Sequence, residues 1–347
     1  MNKTISNKQM KAKRYLITIA ICLIIIISLL FVYFFASMSS TGKAEYIYID
    51  RDDNIDSVYA KLEPISEPLS LKGFKTLARH FEYTEKIKTG RYKILPDECA
   101  ITVLKHLKNG MQDPVRLTIP SVRTYKDLSH RLSNKIMLDS AEIANVFKDS
   151  ITCTKYGYDT CTMISMFIPN TYDVYWNISI EQLLQRMQKE SKVFWNDKRK
   201  KKAEELGLSQ TEVITLASII DEETANNSEK PMIAGMYYNR LKTNMPLQAD
   251  PTIKFAIGDF SIKRIYHKML IKDSPYNTYK NTGLPPGPIR IPSIAGIDAV
   301  LNMVRHEYLY MCAKEDFSGT HNFAKTYNEH KNNAKKYTMA LNKRGIR

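Results

Sequence analysis

The sequence is poor in the side chains that bind metals. Its 347 residues include five cysteines and seven histidines. The cysteines follow no zinc-ligand spacing, and the histidines form no His-Glu-x-x-His pair of the kind that binds catalytic zinc. Internal repeats are also absent from the sequence, which excludes a repeat architecture. We therefore expect neither a catalytic metal nor any other cofactor.

The few cysteines allow one disulfide to be considered. Cys153 and Cys161 flank the short polar segment TKYGYDT. In an oxidising compartment their spacing would permit a disulfide, although spacing alone does not fix the geometry of the bond. Cys22 falls within an apolar run, and Cys99 and Cys312 are typical of isolated buried thiols.

One long apolar run stands near the start of the chain. Residues 15–36 carry no charge, and about 20 apolar residues suffice to cross the hydrocarbon core of a membrane. Secretory signal peptides have a shorter apolar region of about 7–15 residues and a small-x-small cleavage site. Because this run is longer and Met38 interrupts the small residues after it, we predict an uncleaved transmembrane helix. Residues 1–14 before it form an acid-free basic tail with Lys3, Lys8, Lys11, Lys13 and Arg14.

This distribution of charge predicts an orientation. By the positive-inside rule the basic tail is cytoplasmic. The chain from residue 37 onward would then lie outside the cytoplasm, held at the cell (inner) membrane by a single span. The formal net charge of +15 indicates attraction to anionic polymers or membrane surfaces, and no nucleic-acid partner is expected.

The patterns after the span predict an α+β fold in two parts. Residues 37–45 are a small polar linker, and residues 46–112 form a small α+β module that is either a spacer or a carbohydrate-binding module. Residues 113–347 form a larger mixed α+β domain that begins with the strand VRLTI and ends with a basic helix. The signals inside the small module are the alternating strand YIYID, a turn and short strand from Thr89, and helical stretches near residues 55–62, 71–81 and 100–107.

Three consecutive acidic residues, Asp221, Glu222 and Glu223, follow an apolar helix in the larger domain. The sequence Ser-Gln-Thr-Glu at Ser209 is a capping box and predicts the start of this helix. One apolar face recurs with helical spacing at Val213, Leu216, Ala217 and Ile220. Glu223 continues that face, whereas Asp221 and Glu222 are rotated from it by roughly 100° and 200°. The helical pattern therefore carries Glu223 toward the apolar interior.

A carboxyl group in that position suits general acid catalysis. Low dielectric raises its pKa, and the C-terminal end of a helix dipole acts in the same direction. A carboxylic acid that stays protonated at neutral pH is what cleavage of a glycosidic bond requires of its proton donor. A metal cluster and a solvated helix end remain alternatives at this point, and Glu222 is most simply interpreted as surface charge.

Further candidates lie after this helix. A second helix is predicted from Ser228, with Pro231 in its first turn and its end at Asn239 and Arg240. The segment MPLQADPT that follows is predicted to be non-helical. SPYNTY and GLPPGPIRIPS are further proline-rich segments of the kind that forms rigid exposed loops. Such loops often carry function, although a plain connecting role stays open for them.

Taken together these segments resemble the endolytic murein (lytic) transglycosylase family, single-pass membrane enzymes that cut nascent peptidoglycan strands. The resemblance covers roughly Tyr46 to the end of the chain and depends on seven motifs in order rather than on any one of them. It implies a LysM-like module before the catalytic domain. The motifs are FIPNTY, LASIIDEET, YYNRL, MPLQADPT, YNTY, GLPPGPI, and YLYM followed by GTHNF.

The resemblance implies a catalytic residue and a reaction. In the family pattern Glu-x-Glu-Thr the second glutamate is catalytic, which corresponds to Glu223, while Asp221 departs from the first glutamate. The implied reaction is non-hydrolytic cleavage of the β-1,4 bond between N-acetylmuramic acid and N-acetylglucosamine, which leaves 1,6-anhydro ends. Peptidoglycan strands and cell wall synthases are the implied partners. Eight residues are candidates for binding the glycan, and each of them, His321 included, could instead hold the loops together by hydrogen bonds. They are Asn239, Gln248, Asp250, Thr252, Tyr276, Asn277, Tyr279 and His321.

Two other functions compete with this one. A hydrolase of the muramidase type would use Asp221 or Asp250 as a second carboxylate. A non-catalytic wall-binding scaffold would use neither and would only recruit synthases.

Overall fold

The structure, a computed structural model, describes residues 2–262 and 264–345. Residues 1 and 346–347, at the ends of the predicted tail and of the predicted larger domain, lie outside the described residues. Helices dominate and the sheets are small, so the predicted α+β class is confirmed. The strands are β1 Glu45–Ile49, β2 Gly90–Ile94, β3 Val115–Ile119, β4 Asn170–Val174, β5 Tyr310–Ala313 and β6 His321–Ala324. They form two-stranded sheets of β1 with β2, β3 with β4, and β5 with β6.

The helices account for most of the remaining chain. Within the described ranges three short 3-10 segments, beginning at Glu63, Tyr83 and Met163, accompany them. The α-helices are α1 Asn2–Phe35, α2 Ile55–Leu62, α3 Pro68–His80, α4 Ala100–Asn109, α5 Tyr125–Ser133, α6 Ser140–Val146, α7 Ser150–Lys155, α8 Ile180–Phe194, α9 Asp197–Leu206, α10 Gln210–Glu223, α11 Lys230–Lys242, α12 Asp250–Ile257, α13 His267–Leu270, α14 Ile294–Leu301 and α15 Tyr327–Lys343.

The described chain divides into two compact units. The first contains residues 2–115 and 173–178, and the second contains residues 116–172 and 179–345. In the first unit β1 and β2 are antiparallel, with Ile47 opposite Tyr92. The buried side chains of this sheet share one apolar core with residues of α2, α3 and α4, among them Leu62 and Phe74. The strand and helices predicted for this region are therefore present.

Helix α1 contains the predicted membrane span. Its segment Lys13–Phe35 is the one helix among the described residues that is long and apolar enough to cross a membrane, a property that a signal sequence shares. Near its end the Tyr33 hydroxyl donates a hydrogen bond to the carbonyl oxygen of Lys72 in α3, at 3.0 Å. A Cβ atom on Gly73 would lie 1.9 Å from the Tyr33 carbonyl oxygen. A glycine at this position thus lets α3 approach the last turn of α1.

Helix α10 lies at the centre of the second unit. It packs against α9, α11, α12 and α14, and every side chain from Val213 to Ile220 is buried. A helix that is buried on all sides has no solvent face. The sequence-based picture of one apolar stripe is therefore wrong for α10. The predicted start is confirmed, because the Ser209 hydroxyl accepts a hydrogen bond from the Glu212 amide at 3.2 Å and the Glu212 carboxylate accepts one from the Ser209 amide at 2.7 Å.

Two sequence-based boundaries need correction. The segment MPLQADPT does not stay non-helical, because α12 begins at Asp250 with Pro251 in its first turn. Proline has no amide hydrogen and a fixed φ, so the first turn of a helix accommodates it well. Helix α11 begins at Lys230 rather than at Ser228 and continues to Lys242.

The disulfide that the spacing of Cys153 and Cys161 permits is not formed. Both residues are free thiols. Cys153 is buried, and its thiol donates a hydrogen bond to the Val146 carbonyl oxygen at 3.4 Å. Cys161 is exposed in the segment that follows α7. The two thiols therefore lie in different environments, one in the core and one at the surface.

Candidate active site

Helix α10 places Glu223 in the wall of a cavity that lies at the C-terminal end of the helix. The helix stops at Glu223, and Thr224 is extended with φ −145° and ψ 139°. Glu223 thus occupies the last turn, where the negative end of the helix dipole lies. The Tyr237 hydroxyl of α11 donates a hydrogen bond of 2.8 Å to Glu223 Oε1.

The surroundings of Glu223 favour its protonated form. Burial of the carboxyl group raises its pKa to about 7, and the nearby charge of Asp250 acts in the same direction. The hydrogen bond from Tyr237 and the charge of Lys254 oppose this rise, and a protonated His321 would add to them. Desolvation is the largest of these effects because a carboxylate loses more hydration than a carboxylic acid does. Glu223 can therefore both hold and release a proton near neutral pH.

The cavity beside Glu223 has a volume of about 250 Å³. Its wall is formed by the ends of α10 and α12, one side of α11, strand β5 and the first residue of β6, together with parts of the connecting loops. The lining residues are Glu223, Met236, Tyr237, Arg240, Leu247, Gln248, Asp250, Tyr279, Met311, Cys312, Ala313 and His321. A concave site with a few convergent polar groups and one carboxyl group of perturbed pKa is typical of an active site.

Asp250 places a second carboxylate in this cavity. It is the first residue of α12, and its Oδ1 accepts a hydrogen bond from the Tyr279 hydroxyl. Burial and the neighbouring Asp250 together raise the pKa of Tyr279 above its usual range. Tyr279 therefore remains a hydrogen-bond donor at neutral pH, and it fixes the position of the Asp250 side chain.

Arg240 connects the walls of the cavity. Its Nε donates to the Leu309 carbonyl oxygen at 2.6 Å, and its Nη1 donates to the Leu247 carbonyl oxygen at 2.8 Å. Next to Leu247, Gln248 has a φ of +50°, a left-handed conformation that is uncommon for a residue other than glycine. The backbone amide of Gln248 donates a hydrogen bond to the Thr278 carbonyl oxygen at 3.0 Å. These contacts hold the segment before α12 in the shape that brings Gln248 to the cavity.

Five of the residues predicted from sequence line this one cavity. They come from separate parts of the chain and are Glu223, Gln248, Asp250, Tyr279 and His321.

The other four predicted residues, Asn239, Thr252, Asn277 and Tyr276, do not line it. Asn239 donates to the His306 carbonyl oxygen at 2.7 Å. Thr252 is fully buried and donates to the Ala249 carbonyl oxygen at 2.7 Å.

Asn277 is also fully buried and holds the preceding loop by donating to the carbonyl oxygens of Leu270 and Lys272 at 2.8 and 2.7 Å. Tyr276 packs against Phe255 in a separate cavity, with 4.7 Å between ring centroids.

The two acids beside Glu223 are neither solvated nor part of the cavity. Glu222 is not a surface charge, because its carboxylate accepts hydrogen bonds from Arg123 at 2.8 and 2.9 Å and from Arg290 at 2.8 Å. Asp221 forms an ion pair of 2.7 Å with Lys230, and the exposed fractions of the two side chains are 4% and 6%. Both carboxylates are therefore paired with basic side chains, Glu222 with two arginines and Asp221 with one lysine.

Three residues that shape the site are not predicted from the sequence. Tyr237 belongs to the apolar side of α11 by its spacing, yet its hydroxyl bonds to the candidate acid. Arg240 resembles a C-terminal helix charge but turns inward, where burial lowers its pKa. Glu229 lies just before α11 and binds His321. The motif YYNRL contains the first two, but no local pattern distinguishes an inward from an outward arginine. Within the described residues no group of three or more His, Cys, Asp or Glu side chains is arranged to bind a metal ion.

Comparison with known proteins gives consistent matches. Over 166 residues the chain is 38% identical to the endolytic murein transglycosylase of Bacillus subtilis strain 168. This match covers 48% of this chain and 45% of that protein. Over 282 residues it is 27% identical to the endolytic murein transglycosylase of Streptococcus pneumoniae strain R6, covering 69% of this chain and 49% of that protein. The chain therefore matches about half the length of these curated relatives.

A solved structure agrees with these matches. The crystal structure of a YceG-like protein from Listeria monocytogenes superimposes with a TM-score of 0.54 at 27% identity, over 84% of this chain and 98% of that one. The sequence profile of the YceG-like family matches residues 47–336, which is most of the chain and includes every residue of the cavity. The chain belongs to the YceG-like family.

Proposed function

We propose that this protein is a membrane-anchored lytic transglycosylase of peptidoglycan. It would cleave the β-1,4 bond between N-acetylmuramic acid and N-acetylglucosamine and leave 1,6-anhydro ends. The observation that carries the proposal is Glu223, a carboxyl group with a pKa raised to about 7 in an open cavity of about 250 Å³. The names of the relatives from Bacillus subtilis and Streptococcus pneumoniae support the same reaction and the same substrate.

In the first step Glu223 acts as general acid. Its proton passes to the glycosidic oxygen as the bond to the anomeric carbon breaks, and the leaving sugar departs as an alcohol. Positive charge develops on the anomeric carbon and ring oxygen in this transition state. The carboxylate that Glu223 becomes stabilises that charge, and the Tyr237 hydroxyl donates to the same carboxylate.

In the second step Glu223 acts as general base. It takes the proton of the muramoyl C6 hydroxyl, whose oxygen attacks the anomeric carbon and closes the anhydro ring. The proton returns to Glu223, so the enzyme finishes in its starting state. Because the nucleophile belongs to the substrate, one carboxyl group suffices, whereas hydrolytic glycosidases place two carboxyl groups across the bond. Gln248, Asp250, Tyr279 and His321 are proposed to bind the glycan around this centre.

The apolar helix supports a proposal for the location of the protein. We propose that residues 15–36 form an uncleaved single span with residues 1–14 in the cytoplasm. A LysM-like module at residues 46–112 and a catalytic domain at residues 113–347 would then lie outside the cytoplasm. There both would meet nascent glycan strands and the synthases that make them, and the enzyme would terminate strands during wall assembly.

Product analysis tests the reaction directly. Uncross-linked glycan strands are digested by the full chain in detergent micelles, and the new ends are identified by mass. We expect 1,6-anhydromuramoyl ends, which are lighter by one water than reducing ends. Reducing ends would instead indicate a hydrolase, for which Asp250 is the available second carboxylate because Asp221 is paired with Lys230. Binding without any cleavage would indicate a scaffold.

The dependence of activity on pH gives a second prediction. Since the first step needs protonated Glu223, we expect kcat/KM to fall as pH rises through about 7, the pKa of this group. In a Tyr237→Phe variant the hydrogen bond that lowers this pKa is lost, so the fall should move to higher pH. Comparison of pH profiles for wild type and variant measures the shift. If kcat/KM falls at the same pH in the variant as in wild type, the titration of another group controls the fall.

A further inference from the structure

Glu229 is a buried carboxylate that the proposed reaction does not use. It occupies the cap position before α11 and is 7% exposed. Its Oε1 accepts a hydrogen bond of 2.6 Å from the backbone amide of His321, and its Oε2 lies 3.0 Å from His321 Nδ1. One carboxylate therefore fixes both the strand that carries His321 and the imidazole ring itself.

The chemistry of this pair fixes the tautomer of the ring. An ionised carboxylate can only accept hydrogen bonds, so the Nδ1 that faces it carries the hydrogen. In the neutral ring the lone pair then lies on the other nitrogen, Nε2. Within the described part of the chain Nε2 makes no hydrogen bond, and His321 lines the same cavity as Glu223. A neutral ring with its hydrogen on Nδ1 would therefore present one oriented acceptor at the cavity wall.

A purely structural pair would not need this arrangement. The bond from Glu229 to the His321 amide already ties β6 to the start of α11. The second carboxylate oxygen adds only an orientation of the ring. Such an outer carboxylate that orients a histidine is a recurrent way of holding a functional nitrogen in place.

We propose that Glu229 is a positioning residue of the active site, which holds His321 as the Nδ1–H tautomer so that Nε2 accepts a hydrogen bond from a sugar hydroxyl. The identity of the ligand as a glycan rests on the proposed function; the tautomer does not. His321 touches the substrate, and Glu229 acts through His321. The hydroxyl belongs to a sugar bound beside Glu223, since both side chains line one cavity.

The tautomer can be measured without any activity. The full chain, labelled with ¹⁵N-histidine and held in detergent micelles, gives imidazole nitrogen signals by NMR, and the signals lost in His321→Asn belong to His321. We expect an Nδ1–H ring in wild type and a mixture of tautomers in Glu229→Gln, whose amide can donate as well as accept. An Nε2–H ring in wild type, or an unchanged ring in Glu229→Gln, would overturn the proposal.

The contact with the glycan needs a second measurement. Uncross-linked glycan strands are added to the labelled Glu223→Gln variant, which keeps the cavity but lacks the proton donor. We expect the Nε2 signal to move as the hydrogen bond forms. Strands that bind without moving Nε2 overturn the contact. A protein that binds no strand overturns the proposed function and the glycan ligand with it, while the tautomer is judged by the first measurement alone.

Two replacements of His321 separate the roles of its nitrogens. The amide of asparagine stands near the position of Nδ1 and keeps the bond to Glu229, whereas the amide of glutamine reaches toward the position of Nε2. We expect His321→Asn to fold and to lose about tenfold in kcat/KM, the effect of one hydrogen bond, and His321→Gln to recover part of that loss. His130→Asn on the exposed face of α5 is the matched control. Wild-type kcat/KM in a folded His321→Asn variant would mean that the pair is structural only.

Discussion

A Glu223→Gln variant is expected to lose glycan cleavage by about 10²–10⁴-fold, the contribution of a well-placed general acid–base group. Glutamine has the shape of glutamate, so the hydrogen bond from Tyr237 persists and the helix end is undisturbed. It cannot supply a proton to the leaving oxygen or accept one from the attacking hydroxyl. Because both steps of the proposed reaction use this one carboxyl group, no other side chain replaces it. Mass analysis of released ends, at equal protein and equal time, measures the loss.

The control for this variant is Glu205→Gln, on the exposed part of α9. It makes the same chemical change at a distance from the cavity, so activity should stay at the wild-type level. Folding of both variants is compared by their thermal unfolding. A Glu223→Gln variant that is folded, binds strands and cleaves them at the wild-type rate would remove Glu223 from the mechanism.

The sequence patterns that single out Glu223 are only partly present in the structure. The capping box at Ser209 predicts the start of α10 correctly, because it depends only on residues three positions apart. The apolar stripe was wrong, because α10 is buried on every side. What distinguishes Glu223 from its two neighbours is its partner rather than its face of the helix. Asp221 and Glu222 form ion pairs with basic side chains, whereas Glu223 accepts a hydrogen bond from a tyrosine hydroxyl.

The two partners of Glu222 are distant from it in sequence. Arg123 reaches Glu222 across 99 residues, and Arg290 reaches it across 68. Local patterns contain no information about such pairs, so a buried acid and a solvated one look alike in the sequence. The same limit applies to the polar residues of the loop motifs. Asp250 and Tyr279 face the cavity while Thr252 and Asn277 hold the backbone, and the motif letters do not separate the two groups.

Breaking the ion pair between Asp221 and Lys230 should strongly destabilise the second unit. Both side chains are almost fully buried, and Asp221 also accepts hydrogen bonds from the amide and hydroxyl of Ser293. An Asp221→Ala variant leaves the Lys230 ammonium group without a counterion, which typically costs about 3–5 kcal/mol in the free energy of unfolding. For a domain of this size that corresponds to a decrease of about 10 °C in Tm. Asp221 does not line the cavity beside Glu223, so we expect the folded fraction to keep the proposed cleavage activity.

A double-mutant cycle separates the ion pair from the loss of packing. Lys230→Met fills a similar volume without charge, and the Asp221→Ala/Lys230→Met variant removes both charges together. We expect the double variant to be more stable than Asp221→Ala, because no unpaired ammonium group remains buried. Fluorescence of Trp195, which lies in the same core as α10, reports the unfolding when Trp176 is replaced by phenylalanine in every protein compared. Equal stability of Asp221→Ala and wild type would show that Lys230 reaches water, and the buried charge would then not be the reason that Asp221 is needed.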